Sequence, residues 1–137
     1  SKDMPFEVAE HTADLKIRVW GNSLEDLFRE AVLAMMKLVK NEVVGSSTEE
    51  RKINIDAPDG TALLIDFLNE VLALSQTSKE VYRRVSFTEF SPVKLEAVLQ
   101  GIKVNDFDED IKAVTYHEAD VKRNDKGEWE TILIFDI

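Results

Sequence analysis

A chain of 137 residues, 44% hydrophobic and 32% charged, is expected to form one domain with a core of its own. Its 27 acidic residues against 17 basic ones leave a net charge of −10. The whole chain therefore offers no basic footprint for phosphate-led nucleic-acid binding. It contains no cysteine, which excludes disulfides, thiolate metal sites and cysteine nucleophiles. No apolar run approaches the ~20 residues of a membrane helix, and the first residues carry no apolar stretch of signal-peptide length. The expectation is a cytoplasmic protein without membrane contact. Its single domain should span residues 1–137, with 1–4 disordered and Met4 the natural start. Such an acidic excess suits either a cationic protein or metal partner, or solubility alone.

In chain order, Phe6 to Glu10 reads as a short strand. Leu15, Ile17 and Val19 alternate with Lys16, Arg18 and Trp20, the period of a half-buried strand. Gly21-Asn22 turns the chain, and Ser23 stands where a helix N-cap belongs, with Glu25 and Asp26 in the first turn to suit the helix dipole. Leu24, Leu27, Phe28, Ala31, Met35 and Leu38 then form one apolar stripe at helical spacing. A methionine pair on such a stripe (Met35, Met36) reads as core.

Asn41 to Glu50 is polar loop, and Ile53, Ile55 and Ala57 alternate with polar neighbours as another strand. Pro58-Asp59-Gly60 ends it, and Asp59 is placed to cap a second helix carrying Leu64, Phe67, Leu68, Val71 and Leu74 and ending near Gln76 to Ser78. From Val81 the pattern is β: Tyr82 to Phe90, a break at Pro92, a return strand Leu95 to Val104, and an acidic turn Asn105 to Asp110. A strand Val114 to Val121, a hairpin turn at Asn124-Asp125-Lys126-Gly127 and a last strand Trp129 to Ile137 complete the chain. The order is β-β-α-β-α followed by four to five strands. Consecutive hairpins favour an α+β fold, a mostly antiparallel β-sheet with two amphipathic helices packed on it.

Dinucleotide-binding glycine patterns, a P-loop and a Gly-x-Ser-x-Gly elbow are all missing. The two histidines, His11 and His117, would make a zinc site only if the fold united them with acids. Asp106, Asp108 and Asp110 hint at calcium chemistry, but the run lacks the sixth-position Gly and twelfth-position Glu of an EF-hand loop. A solvated turn is the simpler reading. The stretch Thr131-Ile132-Leu133-Ile134-Phe135 is apolar nearly throughout, so both faces of that strand should be covered. It delivers Asp136 and then the terminal Ile137, two carboxylates that repel unless a cation or strong donors lie between them. Asp14 stands at the mouth of a strand beside Thr12 and His11. A solvated terminus is the plainer alternative for both.

Three blocks, Glu10-His11-Thr12-Ala13-Asp14 with Trp20-Gly21 and Ser23 to Phe28, then Ile111 to His117, then Ile134-Phe135-Asp136-Ile137, resemble the signatures of the archease family, in family order and across nearly the whole chain. Between about Asn41 and Asn105 the pattern is compatible without being distinctive. The resemblance implies the archease fold and an accessory role, not an enzymatic one. Such a protein activates an RtcB-type RNA ligase in tRNA splicing and RNA repair by promoting ligase guanylylation, multiple turnover and broader nucleotide use. It further implies a metal site at Asp14, Asp136 and Ile137, the last through a main-chain or terminal oxygen, and a contact for partner or nucleotide at Lys112. His11 and His117 match the motifs without a metal role.

An all-oxygen donor set suits calcium, with magnesium or manganese as alternatives, better than zinc. Lys112 would neutralise the carboxylates or meet a nucleotide phosphate. In this reading tRNA is reached only through the ligase. Two other functions stay open: a metal-dependent phosphodiesterase or nuclease in its own right, weakened by the −10 charge against a polyanionic substrate, and a chaperone-like binding module for RNA-modifying proteins.

Overall fold

A computed structural model describes residues 14–137; the strand expected at Phe6 to Glu10 lies outside them. The described chain runs β1 (Asp14–Gly21), α1 (Leu24–Val39), β2 (Glu49–Asp56), α2 (Gly60–Ser78), β3 (Glu80–Ser91), β4 (Lys94–Lys103), β5 (Ala113–Thr115), β6 (Lys122–Arg123) and β7 (Trp129–Asp136). Five strands follow α2, and every strand pairing is antiparallel. The fold is α+β, as the pattern of hairpins requires.

Both helices start where their caps dictate. The Ser23 hydroxyl accepts the Asp26 N–H at 3.0 Å and the Asp59 carboxylate accepts the Ala62 N–H at 2.8 Å, each satisfying a donor that the first turn leaves open. α1 buries Leu27, Phe28, Ala31 and Met35 of the expected stripe and also Val32, Met36 and Val39. α2 buries Leu63 to Ile65, Phe67, Leu68, Val71 and Leu72, which is wider than one stripe. Each helix packs on strands of both sheets, α1 on β1 and β3, α2 on β2, β3 and β5. Phe28 and Phe67 join the helices, and Phe87 and Phe90 of β3 close the cluster, with Phe28 and Phe90 edge to face at 5.0 Å.

The strands divide into two sheets rather than one: β1-β7-β5, with β6 also on β7, and β2-β4-β3. The chain crosses first through α1, from β1 to β2, and returns through the acidic segment after β4. There the Asp108 N–H donates to the Val39 carbonyl at 2.7 Å, and the Asp108 carboxylate accepts the Asn41 N–H at 2.8 Å. The turn thus closes the open C-terminus of α1.

Of the strand expected over Val114 to Val121 only Val114 and Thr115, in β5, are strand, and β6 begins just beyond it at Lys122. Between them Glu118 takes a left-handed backbone, φ 60°. The N–H groups of Asp120 and Val121 donate to the hydroxyls of Thr131 and Thr61, both at 3.0 Å, so the ladder loses those donors to side chains.

β7 is the middle strand of its sheet. Leu133 and Phe135 face the core, while Ile134 on the opposite face is only 5% exposed and Ile132 is half-buried. The prediction that both faces are covered holds. Gly21 ends β1 because α1 starts against it: a Cβ there would lie 2.5 Å from the Leu27 nitrogen.

Candidate functional site

The β1–β7 register brings the first and last described strands together at one end of the sheet. Asp14 is the direct partner of Asp136, and on its other side Asp136 is the partner of Ala113. Opposed residues in an antiparallel pair share a face, with Cβ atoms roughly 4.5–5.5 Å apart. Asp14 and Asp136 therefore present two carboxylates side by side on the face away from the helices, since their neighbours Leu15 and Phe135 point into the core. Asp14 is exposed, and Asp136 and Ile137 are half-buried.

Lys112 joins them through its backbone. Its N–H donates to the Asp136 carbonyl at 2.7 Å. Its ammonium instead pairs with Asp110 at 3.1 Å and is well exposed. The four residues singled out from the sequence thus share one end of the sheet, but the Lys112 charge rests on Asp110, not on the aspartate pair.

Helix α2 holds this corner from below. Asn69 Nδ2 donates to the Val114 carbonyl and Asn69 Oδ1 accepts the Val114 N–H, both at 2.9 Å. Gln76 Nε2 donates to the Ile111 carbonyl at 2.5 Å. These two amides of α2 clamp the backbone on either side of Lys112. Sequence reasoning did not single them out, because they are two among several polar residues of the helix.

Next to the aspartates on the same face, Lys16 donates to Glu118 at 3.1 Å, and the His117 imidazole lies 3.8 Å from the same carboxylate. Tyr116 donates to Asp66 on α2, and that carboxylate pushes its phenol up to about 12. His11 lies outside the described residues.

Among the described residues, no three His, Cys, Asp or Glu side chains form a group able to hold a metal ion. The acidic turn does not either. Asp106 pairs with Lys40 at 2.7 Å, Asp108 caps the α1 terminus and Asp110 holds Lys112, so each carboxylate has its own donor. The Asp14–Asp136 pair is different: two hard oxygen groups sit together at a strand end, and Ile137 follows. Such a set fits a divalent cation completed by a main-chain oxygen and water.

Residues 6–137 match the model of the Archease protein family. The chain belongs to the archease family. Curated archease relatives agree along their full length. Protein archease of Methanosarcina mazei is 30% identical over 100% of this chain and 99% of the relative, and that of Pyrococcus abyssi is 31% identical over 96% and 98%. The solution structure of protein 1598 from Methanobacterium thermoautotrophicum superposes with a TM-score of 0.75 at 26% identity, over 94% of this chain and 96% of that one. The crystal structure of a Thermotoga maritima archease, described as a possible chaperone, shares the fold, with a TM-score of 0.70 at 23% identity and 98% coverage of both chains. The expected archease fold is therefore the fold of this chain. No described helix is long and apolar enough to cross a membrane.

Proposed function

We propose that this archease activates an RtcB-type RNA ligase through the acidic end of the β1–β7 sheet, and that it joins no RNA itself. The observation that carries the reading is the register: Asp14 stands opposite Asp136, with the Lys112 backbone hydrogen-bonded to Asp136. Asp14, Asp136 and an oxygen of Ile137 would hold the divalent cation, calcium by preference for an all-oxygen, water-completed set. Bound there, the cation neutralises the opposed carboxylates and supplies a Lewis acid at the docking surface.

The chain's own residues do the rest. The aspartates form an acidic knob on the exposed face, suited to a cationic active-site mouth. Lys112 lies at its edge, with its backbone fixed by Asp136 and by the Asn69 and Gln76 clamps on either side, and with an ammonium free to exchange Asp110 for a nucleotide phosphate. Phosphoryl transfer depends on positioning and charge neutralisation, so a helper that orients nucleotide phosphates for the ligase's attacking histidine raises guanylylation without supplying a catalytic group. Promoted guanylylation would in turn support repeated turnover and a broader choice of nucleotide.

The test is ligase guanylylation with and without this protein. Asp14→Ala, Asp136→Ala and Lys112→Ala should stay folded and lose stimulation. Wild-type stimulation by all three would end the proposal. RNA cleavage by the pure protein with metal would instead favour an enzyme, and metal-independent rescue of a misfolded ligase a chaperone.

A further inference from the structure

The edge strand of the other sheet carries a feature that the acidic corner does not use. β3 bulges between Tyr82 and Arg84, so that Arg83 is an extra residue opposite β4. In a regular strand successive side chains point to opposite faces; a bulge re-aims them. Here Arg83 and Arg84 line the same open hollow of about 510 Å³, with Ser46, Ser47 and Gln100. A second hollow of about 350 Å³ shares both arginines and Gln100 and adds Arg29. The bulge depends on Gly101, whose Cβ would meet the Val81 carbonyl oxygen at 2.2 Å.

Arg83 is already held in place. Its Nη2 donates to the Gly45 carbonyl at 2.7 Å and to the Ser47 hydroxyl at 3.0 Å, which leaves Nε and Nη1 of the guanidinium for a ligand. The chain has a net charge of −10, and among the described residues nine of the sixteen lysines and arginines pair with a carboxylate. Arg18 has Glu130, Arg29 has Asp26 and Glu25, and Arg51 has Glu80. Among the described residues Arg83 and Arg84 pair with no carboxylate. The nearest acid on this face by register is Glu50, one strand further, opposite Gln100.

We infer that the Arg83–Arg84 bulge is a phosphate-binding site, taking the phosphate of a nucleotide or of an RNA backbone. The Arg84 guanidinium gives a planar bidentate fork for phosphate oxygens, Arg83 adds single donors from Nε and Nη1, and the Ser46 and Ser47 hydroxyls and the Gln100 amide add neutral ones. The overall negative charge does not forbid it, because at physiological salt charges beyond ~8 Å are largely screened.

The experiment titrates isotope-labelled protein with inorganic phosphate and, separately, with a short single-stranded oligoribonucleotide, following backbone amides at Gly45 to Ser47, Arg83 to Ser86 and Gln100. Saturable shifts at these positions are expected. Arg84→Glu, at an exposed side chain outside the hydrogen-bond network, should lower affinity by about tenfold or more, and Arg84→Lys should fall between. Saturation by phosphate alone assigns the site to a free phosphate or phosphomonoester; saturation by RNA alone assigns it to a phosphodiester run. Absence of saturable shifts with both probes, or wild-type affinity in Arg84→Glu, overturns the inference.

Discussion

Asp14 and Asp136 face each other across the end of the β1–β7 ladder, two like charges in the position where a sheet tolerates them least. Opposed like charges destabilise a cross-strand pair. Among the described residues, the neighbouring cations do not relieve this, because Lys16 is held by Glu118 and Lys112 by Asp110. A cation or a basic partner placed between them would remove that cost.

Removing one of these charges should therefore separate binding from stability. Without divalent metal, Asp136→Asn is expected to be more stable than wild type by about 0.2–1 kcal/mol, the scale of one cross-strand pair. With calcium at about a hundred times its dissociation constant, wild type should gain about 2.7 kcal/mol and Asp136→Asn little. Urea unfolding in chelator and in calcium measures both. A loss of stability for Asp136→Asn in chelator would show that the pair is not repulsive.

A different carboxylate supports the second sheet. Glu80 is fully buried and accepts both arms of Arg51, at 2.9 and 2.7 Å, and the Tyr82 hydroxyl at 2.8 Å. Arg51→Met leaves that carboxylate with the Tyr82 hydroxyl and the exposed Lys103 ammonium, 3.7 Å away, as its remaining partners. Fully buried pairs lose roughly 3–5 kcal/mol when one partner goes. The Arg51 side chain is itself 39% exposed, so water recovers part of the loss and about 2 kcal/mol is expected. Glu80→Gln added to Arg51→Met should restore some of it, because no buried charge then remains. Chemical denaturation of the single and double variants decides this; equal stability of the two would mean that the ion pair, not the buried charge left behind, sets the energy.

The same contact makes stability depend on pH. The Arg51 guanidinium foremost, with the Tyr82 hydroxyl, holds the Glu80 carboxyl below the usual glutamate range. Its protons then bind more readily in the unfolded chain, so stability rises with pH. The contribution is complete above the unfolded value of about 4.3 and disappears as pH falls through the lowered native one. Wild type should lead Glu80→Gln most at neutral pH, and the gap should narrow below about pH 4. A constant gap down to acid would show that Glu80 contributes by shape alone.

Much of this architecture is legible in the residues. Ser23 and Asp59 announce their helices, Pro92 marks the β3–β4 turn, and Asn124 to Gly127 turn the last hairpin. The Asp14–Asp136 pairing follows from no local pattern; it came with the family resemblance, and only the register displays it. Three features escaped for one reason, that distant side chains override local pattern. The run after Val114 looks like a continuous strand, yet Thr61 and Thr131 capture its donors. No local pattern marks Glu80 as buried; its partner Arg51 arrives from β2. The acidic turn reads as a solvated turn, yet α1 uses it as a C-terminal cap.

Asn69 offers a last test, because it links the helix to the site without facing a ligand. Its amide makes a two-bond pair with Val114 of β5 and also donates to the Ile65 carbonyl at 3.2 Å, doing for the outer side of a three-residue strand what a neighbouring strand would do. Asn69→Ala leaves one donor and one acceptor of the half-buried clamp unpaired, a loss of about 1–3 kcal/mol. The effect should be local. Hydrogen exchange at Val114 and at Lys112, whose N–H reaches Asp136, should quicken well before exchange in β4. Ligase stimulation should fall with it, because Lys112 then lies on a loosened segment. Unchanged exchange at Val114 would mean that pairing with β7 alone orders β5, and that the position of Lys112 is set by Asp136 and not by the helix.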